Sequence, residues 1–175
     1  MSNNTHRQAG FTLLELMVTV AIVAIVASIA FSNSTDMLAR DRAENHLFEL
    51  KRQLMFARAK ATSTDATVVV CPLNGANCTN DWQSNTVAIF VDDDNNGQFG
   101  GNDTLLREME TVPANDTLVY SGNSPISFDA TGRVGLNQNG DFAYCPNTGN
   151  DSERSLTLTQ SGTTLYRGAT TTGCS

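Results

Sequence analysis

The sequence predicts an α+β fold in which a long amino-terminal helix packs on an antiparallel β-sheet or on a head of two packed sheets. Two observations support this prediction. Neither Gly nor Pro occurs between Phe11 and Asp65, and apolar residues there first run continuously and then recur at helical spacing. After Asp65 the pattern changes to short β-branched runs, which are separated by turns rich in Asn, Gly, Asp and Ser.

The apolar segment, residues 11–31, is long enough to cross a bilayer as a helix. It holds 21 residues with one charge, Glu15, and a hydrocarbon core of about 30 Å needs roughly 20 residues. A polar leader that carries Arg7 precedes it, which is typical of a membrane-inserted chain. A carboxylate inside such a segment costs about 2.5–3.5 kcal/mol on insertion scales, so Glu15 is expected to pair with a group that compensates its charge.

The residues around Glu15, Gly-Phe-Thr-Leu-Leu-Glu-Leu from Gly10, resemble the class III signal of type IV pilins and type II secretion pseudopilins. The resemblance implies that a prepilin peptidase cuts after Gly10 and that Phe11 becomes the N-methylated terminus. It also implies that Glu15 pairs with the terminal amine of a neighbouring subunit during assembly. Such a pair is favoured because opposite charges attract strongly in a low-dielectric site.

An amphipathic half follows the apolar segment. Ala43, Leu47, Leu50, Leu54, Ala57 and Ala61 recur at a spacing that places them on one face of a helix, so the helix is expected to continue to about Ser63 and to bury this stripe against its own domain. The predicted organisation is therefore a cleaved leader (1–10), a transmembrane and filament-core helix (11–31), the amphipathic half of the same helix (32–63) and a β-rich head (64–175).

The head is expected to be a succession of strands joined by tight turns. Direct succession of this kind favours antiparallel pairing, and Ser161-Gly162 is a hairpin signal. The predicted strands are residues 66–71, 86–91, 104–110, 117–120, 126–129, 141–145, 155–160 and 163–168.

Several stretches of the head resemble the GspH/FimT/FimU group of minor pilins and pseudopilins. They are the helix end from Ala57 to Ala61, the strand that closes on Cys71-Pro72, and an Asp-rich turn followed by Leu-Leu-Arg. Phe-Asp-Ala-Thr-Gly-Arg, which ends at Arg133, is the last of them. The resemblance implies a type IV pilin-like fold and a structural, assembly-based role.

Charge argues against broad binding of nucleic acid. The formal net charge is -7, and removal of the leader leaves 10 basic and 18 acidic residues. An acidic chain repels phosphate backbones. Some FimT-like proteins bind DNA during natural transformation, and Arg133 is the candidate DNA contact that the resemblance implies. Val134 and Gly135, however, follow where a second Arg is expected.

Four cysteines in a chain with an export leader are expected to form disulfides. Asn74-Gly75 can turn the chain between Cys71 and Cys78, and Cys145 and Cys174 then pair by elimination. Three connectivities remain possible, and the sequence does not decide among them.

An acidic turn matches the spacing of a Ca²⁺-binding loop. Asp92, Asp94, Asn96 and Asp103 occupy the oxygen-ligand positions, and Gly97 allows the sharp bend. The last ligand is Asp instead of the longer Glu, and strands flank the loop. The competing interpretation is a solvated acidic hairpin tip that binds no metal.

No enzyme site emerges, because His6 lies in the leader and His46 on the long helix, so neither is available as a base in the head.

The features favour a minor type IV pilin at or near the pilus tip that helps to initiate assembly. A secretion pseudopilin and a DNA-binding minor pilin are the alternatives.

The expected partners are other major and minor pilins, prepilin peptidase and the inner-membrane assembly machinery, with the lipid bilayer before assembly. The expected location is the inner membrane of a Gram-negative bacterium, as a single-pass protein with a periplasmic head, and then the pilus. No cofactor is expected apart from the Ca²⁺ that the acidic turn could bind.

Overall fold

The computed structural model describes residues 11–32, 34–147 and 153–170. The chain divides into two compact units, Met1–Thr35 and Asp36–Ser175. Helix α1 is Leu13–Ser32, and helix α2 is Ser34–Thr64. The sequence predicted one nearly continuous helix over this stretch, with residues 32–36 as the place where it could be locally unwound. Helix is present on both sides of Asn33, which lies outside the described residues, so the continuity of the helix there stays a prediction.

Helix α1 is apolar along its length, with Glu15 in its first turn. Its β-branched Val and Ile residues are compatible with a helix where packing or lipid removes competition from water. Over the part of the chain that the structure describes, no helix satisfies both the length and the hydropathy required to cross a membrane.

Helix α2 buries the stripe that the sequence predicted. All six of its apolar positions are fully buried, as is Ala39 one turn earlier. The helix ends where Asp65 adopts a left-handed conformation, with φ of 53°, and the chain then turns into the first strand. The buried residues of the predicted stripe are Ala43, Leu47, Leu50, Leu54, Ala57 and Ala61.

Nine strands follow within the described residues, and each of the eight predicted strands has a counterpart among them. The unforeseen strand, β2, contains two residues that pair with the end of β1. The strands are β1 Val68–Asn74, β2 Asn77–Cys78, β3 Val87–Val91, β4 Thr104–Met109, β5 Thr117–Tyr120, β6 Ile126–Phe128, β7 Gly140–Cys145, β8 Arg154–Leu158 and β9 Thr164–Ala169.

The strands form two antiparallel sheets, so of the two arrangements left open by the sequence, the two-sheet head is the one observed. The first sheet has the order β2-β1-β3-β4, and β6 also pairs with β1. The second sheet has the order β5-β7-β8-β9. Every pairing among the described strands is antiparallel, as expected for strands joined by tight turns.

One core joins α2 to the inner faces of both sheets. Trp82 lies in this core and packs edge-on against Tyr120 and Phe142, with ring centroids 5.3 and 4.9 Å away. A second, smaller cluster lies on the outer face of the first sheet, where Phe99 from the β3–β4 connection packs against Phe90. The β3–β4 connection therefore covers apolar surface and is anchored by it.

Candidate functional site

The first turn of α1 carries the predicted assembly carboxylate. Thr12 lies just before the helix, and its Oγ1 accepts a hydrogen bond from the backbone N–H of Glu15 at 3.3 Å. This is a helix cap, since a side-chain oxygen satisfies an amide that has no partner within the helix. The helix dipole favours a negative charge at this end. The predicted cleavage residue, Gly10, lies outside the described residues, and Phe11 is 83% exposed.

The apolar side chains of α1 are uncovered on every side of the helix. The described large ones are all half or more exposed in this single chain. A helix that is apolar all round is normally covered by lipid or by other protein. These residues are Leu13, Leu14, Leu16, Met17, Val18, Val20, Ile22, Val23, Ile25 and Val26.

The acidic turn between β3 and β4 brings three predicted ligands together. One carboxylate oxygen from each of Asp92, Asp94 and Asp103 lies within 4.8 Å of the other two. The backbone N–H of Asn96 donates to Asp92 and to Asp94, at 3.1 Å in both cases. The side-chain oxygen of Asn96, the fourth predicted ligand, accepts from the N–H of Gln98 at 2.6 Å.

In this turn, the charged form of the Asp92 carboxylate is disfavoured by its surroundings. Burial raises the pKa of Asp92, whose exposed fraction is 4%, and the nearby Asp103 and Asp94 raise it further. Backbone N–H groups of Gly97 and Asn96 act in the opposite direction. Carboxylate oxygens that accept one amide hydrogen bond keep a further lone pair, so the residues present fit a hard, oxygen-seeking cation such as Ca²⁺.

A disulfide joins Cys71 at the end of β1 to Cys78 in β2, with the Cα atoms 5.5 Å apart. Cys145 is half-buried at the end of β7, and none of the described cysteines is free. Cys174, its predicted partner, lies outside the described residues. The Cys71–Cys78 bond holds β2 against β1. The N–H of Cys78 donates to the side-chain oxygen of Gln98 at 2.8 Å, and this hydrogen bond links β2 to the acidic turn.

Comparison with known proteins decides the family. The sequence model described as "Type II transport protein GspH" matches residues 49–162. The chain belongs to the GspH family. A second model, the prokaryotic N-terminal methylation motif, matches residues 5–31 of the same chain. The GspH-family chain is thus a type IV minor pilin or pseudopilin, a class of membrane-anchored, pilus-associated structural subunits.

Solved structures share the fold of this GspH-family chain. The type IV minor pilin FimU of Pseudomonas aeruginosa matches with a TM-score of 0.56 and 21% identity, over 73% of this chain and 90% of FimU. The minor pseudopilin EpsH of the Vibrio cholerae type II secretion system matches with a TM-score of 0.54 and 10% identity, over 75% of this chain and 99% of EpsH. No curated protein sequence matches this chain significantly.

Arg133, the DNA contact that the resemblance implied, lies in a tight turn of the GspH-family head. It is exposed, and its backbone N–H donates to the carboxylate of Asp129 at 3.0 Å. The nearby Arg58 of α2 donates through Nε to the backbone oxygen of Gly132 at 3.0 Å and so fastens this turn to the helix. The guanidinium of Arg133 is therefore exposed to solvent, whereas that of Arg58 binds the turn to α2.

Sequence reasoning missed a buried polar junction centred on Asp116. Its carboxylate, which is 1% exposed, accepts from the Tyr144 hydroxyl at 2.8 Å and pairs with the Arg42 guanidinium at 3.3 Å. The N–H of Asn147 donates to the same group at 3.2 Å. Hydrogen bonds from Arg42, Tyr144 and Asn147 outweigh the effect of burial and lower the pKa of Asp116. No local pattern signals this junction, because its side-chain partners are 74 and 28 residues away in sequence.

Proposed function

We propose that this GspH-family chain is a minor type IV pilin that is incorporated at or near the pilus tip and helps to initiate assembly. The observation that carries the proposal is the combination of a capped, acid-bearing first turn with a helix whose apolar side chains are uncovered all round. Such a helix needs a partner surface, and a filament of like subunits supplies one.

Glu15 supplies the specificity in this proposal. After cleavage beyond Gly10, the terminal amine at Phe11 carries a positive charge, and the carboxylate of a neighbouring subunit can neutralise it. Both charges would then lie in an apolar environment, where an unpaired charge is far more costly than a paired one. Subunits that present the amine and the carboxylate in register are favoured over misaligned ones.

The exposed surface of α2 adds a second contact region. Met37, Phe48 and Met55 are 66, 41 and 55% exposed. Their sequence spacings of 11 and 7 residues place them on one face of the helix, to one side of the buried stripe, and Phe48 also packs on Tyr166 with ring centroids 4.8 Å apart. Exposed apolar residues that share a face indicate a protein contact surface more often than isolated ones do.

The location and partners follow from the same proposal. The chain would begin as a single-pass protein of the Gram-negative inner membrane with a periplasmic head, where prepilin peptidase and the assembly machinery act on it. It would then leave the bilayer for the pilus and contact major and minor pilins. The Asn- and Ser-rich connections of the head favour a surface-exposed filament over a secretion pseudopilus, and the Cys71–Cys78 disulfide is compatible with both.

Substitution of the assembly carboxylate tests the proposal. Glu15→Val should leave membrane insertion intact and lower the amount of the protein in the sheared pilus fraction by about tenfold or more, because an amine is left unpaired in an apolar site. Glu110→Val removes an exposed carboxylate of the head and serves as the matched control. Immunoblots of the membrane and pilus fractions measure both effects. Normal incorporation of the Glu15→Val protein would refute the mechanism.

Two further measurements separate the alternatives. A deletion strain that keeps its pili but loses type II secretion would indicate the pseudopilin function. A gel shift of duplex DNA by the purified protein at physiological salt, lost in Arg133→Gln, would indicate DNA uptake. The pilus proposal expects fewer pili in the deletion strain and no shift, since the chain is acidic.

We propose as a second function that the acidic turn binds Ca²⁺ through Asp92, Asp94, Asn96 and Asp103. The convergence of three carboxylate oxygens within 4.8 Å, one of them from a buried residue, favours this assignment. A divalent cation would offset the repulsion among these groups and would fix the turn that covers the outer cluster of the first sheet. Titration of the melting temperature with Ca²⁺ tests the assignment.

A further inference from the structure

A groove of about 460 Å³ lies on the outer face of the second sheet, opposite the face whose Phe142 and Leu156 belong to the main core. Its floor is made by Ala143 on β7 and Ser155 on β8, which are paired across the two strands and are 5 and 8% exposed. Both side chains are small, so the sheet surface is depressed between larger neighbours. The volume is within the range of small-molecule sites.

The groove holds one positive and one negative charge in fixed positions. The hydroxyl of Thr157 donates to Asp141 Oδ1 at 2.6 Å and accepts from Arg167 Nε at 3.2 Å. Thr157 thus orients both charged groups. Among the described residues, Asp141 and Arg167 do not form a direct ion pair. Rigid positioning of this kind lowers the entropy cost of binding a ligand.

The remaining hydrogen-bonding capacity of these groups faces an open groove. Within residues 11–32, 34–147 and 153–170, the two terminal nitrogens of Arg167 and the Oδ2 atom of Asp141 have no hydrogen-bond partner. The hydroxyl groups of Ser121 and Ser155 line the same groove, with Val119 as its large apolar side chain. The lining therefore offers a guanidinium fork, a carboxylate acceptor and several hydroxyls that can donate or accept.

We propose that this groove binds a sugar that carries a carboxylate, such as a uronic acid. The guanidinium of Arg167 matches a carboxylate in a bidentate geometry. Asp141 accepts from ligand hydroxyls, and the lining hydroxyls complete a polar set that suits a ligand with many hydroxyl groups. Because the opposite charges of Arg167 and Asp141 offset each other locally, the acidic head does not exclude a ligand with a single negative charge.

Glucuronate is the probe for this inference, with the full chain held in phosphocholine detergent micelles so that no sugar headgroup competes. Amide chemical shifts are followed during titration. We expect saturable shifts at Ala143, Ser155 and Thr157, and at least about tenfold weaker binding of glucose, which lacks the carboxylate, and of acetate, which lacks the hydroxyls. Absence of saturation by about 10 mM glucuronate would overturn the inference, as would acetate binding that is equally tight.

Variants locate the binding. Arg167→Gln keeps a donor for Thr157 but removes the charge, and Asp141→Asn removes the carboxylate acceptor. Each should weaken glucuronate binding about tenfold or more, whereas Arg133→Gln, an equivalent change of an exposed arginine elsewhere, should have no effect. If Arg167→Gln does not fold, Asp141→Asn decides. Unchanged affinity in a folded variant of the groove would refute the assignment.

Discussion

The hydroxyl of Tyr144 donates to the carboxylate of Asp116 at 2.8 Å, and both side chains are buried. This hydrogen bond joins the start of β5 to the end of β7. Arg42 pairs with the same carboxylate and adds α2 to the junction, so one acidic side chain fastens the helix to the second sheet. A buried carboxylate is tolerated here because three donors satisfy it.

We expect Asp116→Ala to destabilise the head by about 3 kcal/mol, because it leaves the Tyr144 hydroxyl and the N–H of Asn147 without their acceptor. Tyr144→Phe removes one donor and should cost about 1–2 kcal/mol. Asp93→Ala, at an exposed position of the acidic turn, should change stability by less than about 0.5 kcal/mol. Urea unfolding measures all three. A loss in Asp116→Ala no larger than that in Asp93→Ala would contradict the importance of the junction.

Stability is expected to fall on mild acidification because of His46. Burial lowers the pKa of His46 to about 4, and its ring lies 5.3 Å from the ring of Tyr144. The nearby Glu49 and Asp116 act in the opposite direction but do not offset the burial. Between pH 6.5 and pH 4 the unfolded chain therefore binds a proton that the folded chain refuses, so stability is lost as the pH falls through this window, by up to about 3 kcal/mol.

The control for this pH dependence is His46→Gln, which removes the titrating group. The variant should be less stable at neutral pH but should lose much less stability between pH 6.5 and pH 4. The lowered pKa of Asp116 produces an acid loss too, but that loss falls below the ordinary carboxyl range and so lies outside the window. If the two proteins have parallel pH profiles of unfolding free energy, His46 is not the cause.

The periodicity of apolar residues predicted the elements whose formation depends on residues close in sequence. The stripe of α2 from Ala43 to Ala61 and the eight strands follow from local spacing, and the structure confirms them. Strand β2 has two residues, too few for a pattern, and forms beside the Cys71–Cys78 closure. Which strands join which sheet is a matter of long-range pairing, so the sequence left one sheet or two as alternatives.

The candidate sites divide in the same way. The acidic turn lies within a short window, so its spacing indicated it, and the Glu15 motif was found through its resemblance to the class III signal. The groove around Thr157 assembles from β5, β7, β8 and β9, and its floor depends on two small side chains that become neighbours through strand register. No sequence window contains this set. Sites of this kind need the topology before they can be recognised.

Gly162, in the turn between β8 and β9, allows a close contact that no other residue would permit. Its φ is +76°, and a Cβ atom there would lie 2.1 Å from the backbone oxygen of Gly132. We expect Gly162→Ala to be destabilising by at least about 2 kcal/mol more than Gly75→Ala, since Gly75 has a similar φ of +66° but nothing within 4 Å of its Cβ position. Thermal unfolding measures the difference, and equal losses would contradict the steric argument.

The Ca²⁺ proposal predicts a rise in melting temperature that depends on particular carboxylates. At a Ca²⁺ concentration of about ten times Kd, the free energy of unfolding should rise by about 1.4 kcal/mol, which is roughly 3–6 °C for a chain of this size. Asp94→Asn should abolish the rise, because it removes one of the three convergent carboxylates at an exposed position. Asp103→Asn should do the same.

Asp93→Asn is the matched control for this titration, since Asp93 is adjacent in sequence and exposed but does not belong to the convergent set. This variant should retain the full rise, which separates coordination by the turn from general screening of an acidic surface by a divalent cation. Screening would lower the repulsion equally in all of these proteins. An unchanged melting temperature in millimolar Ca²⁺, or a full rise in Asp94→Asn, would therefore leave the solvated acidic hairpin as the correct description of the turn.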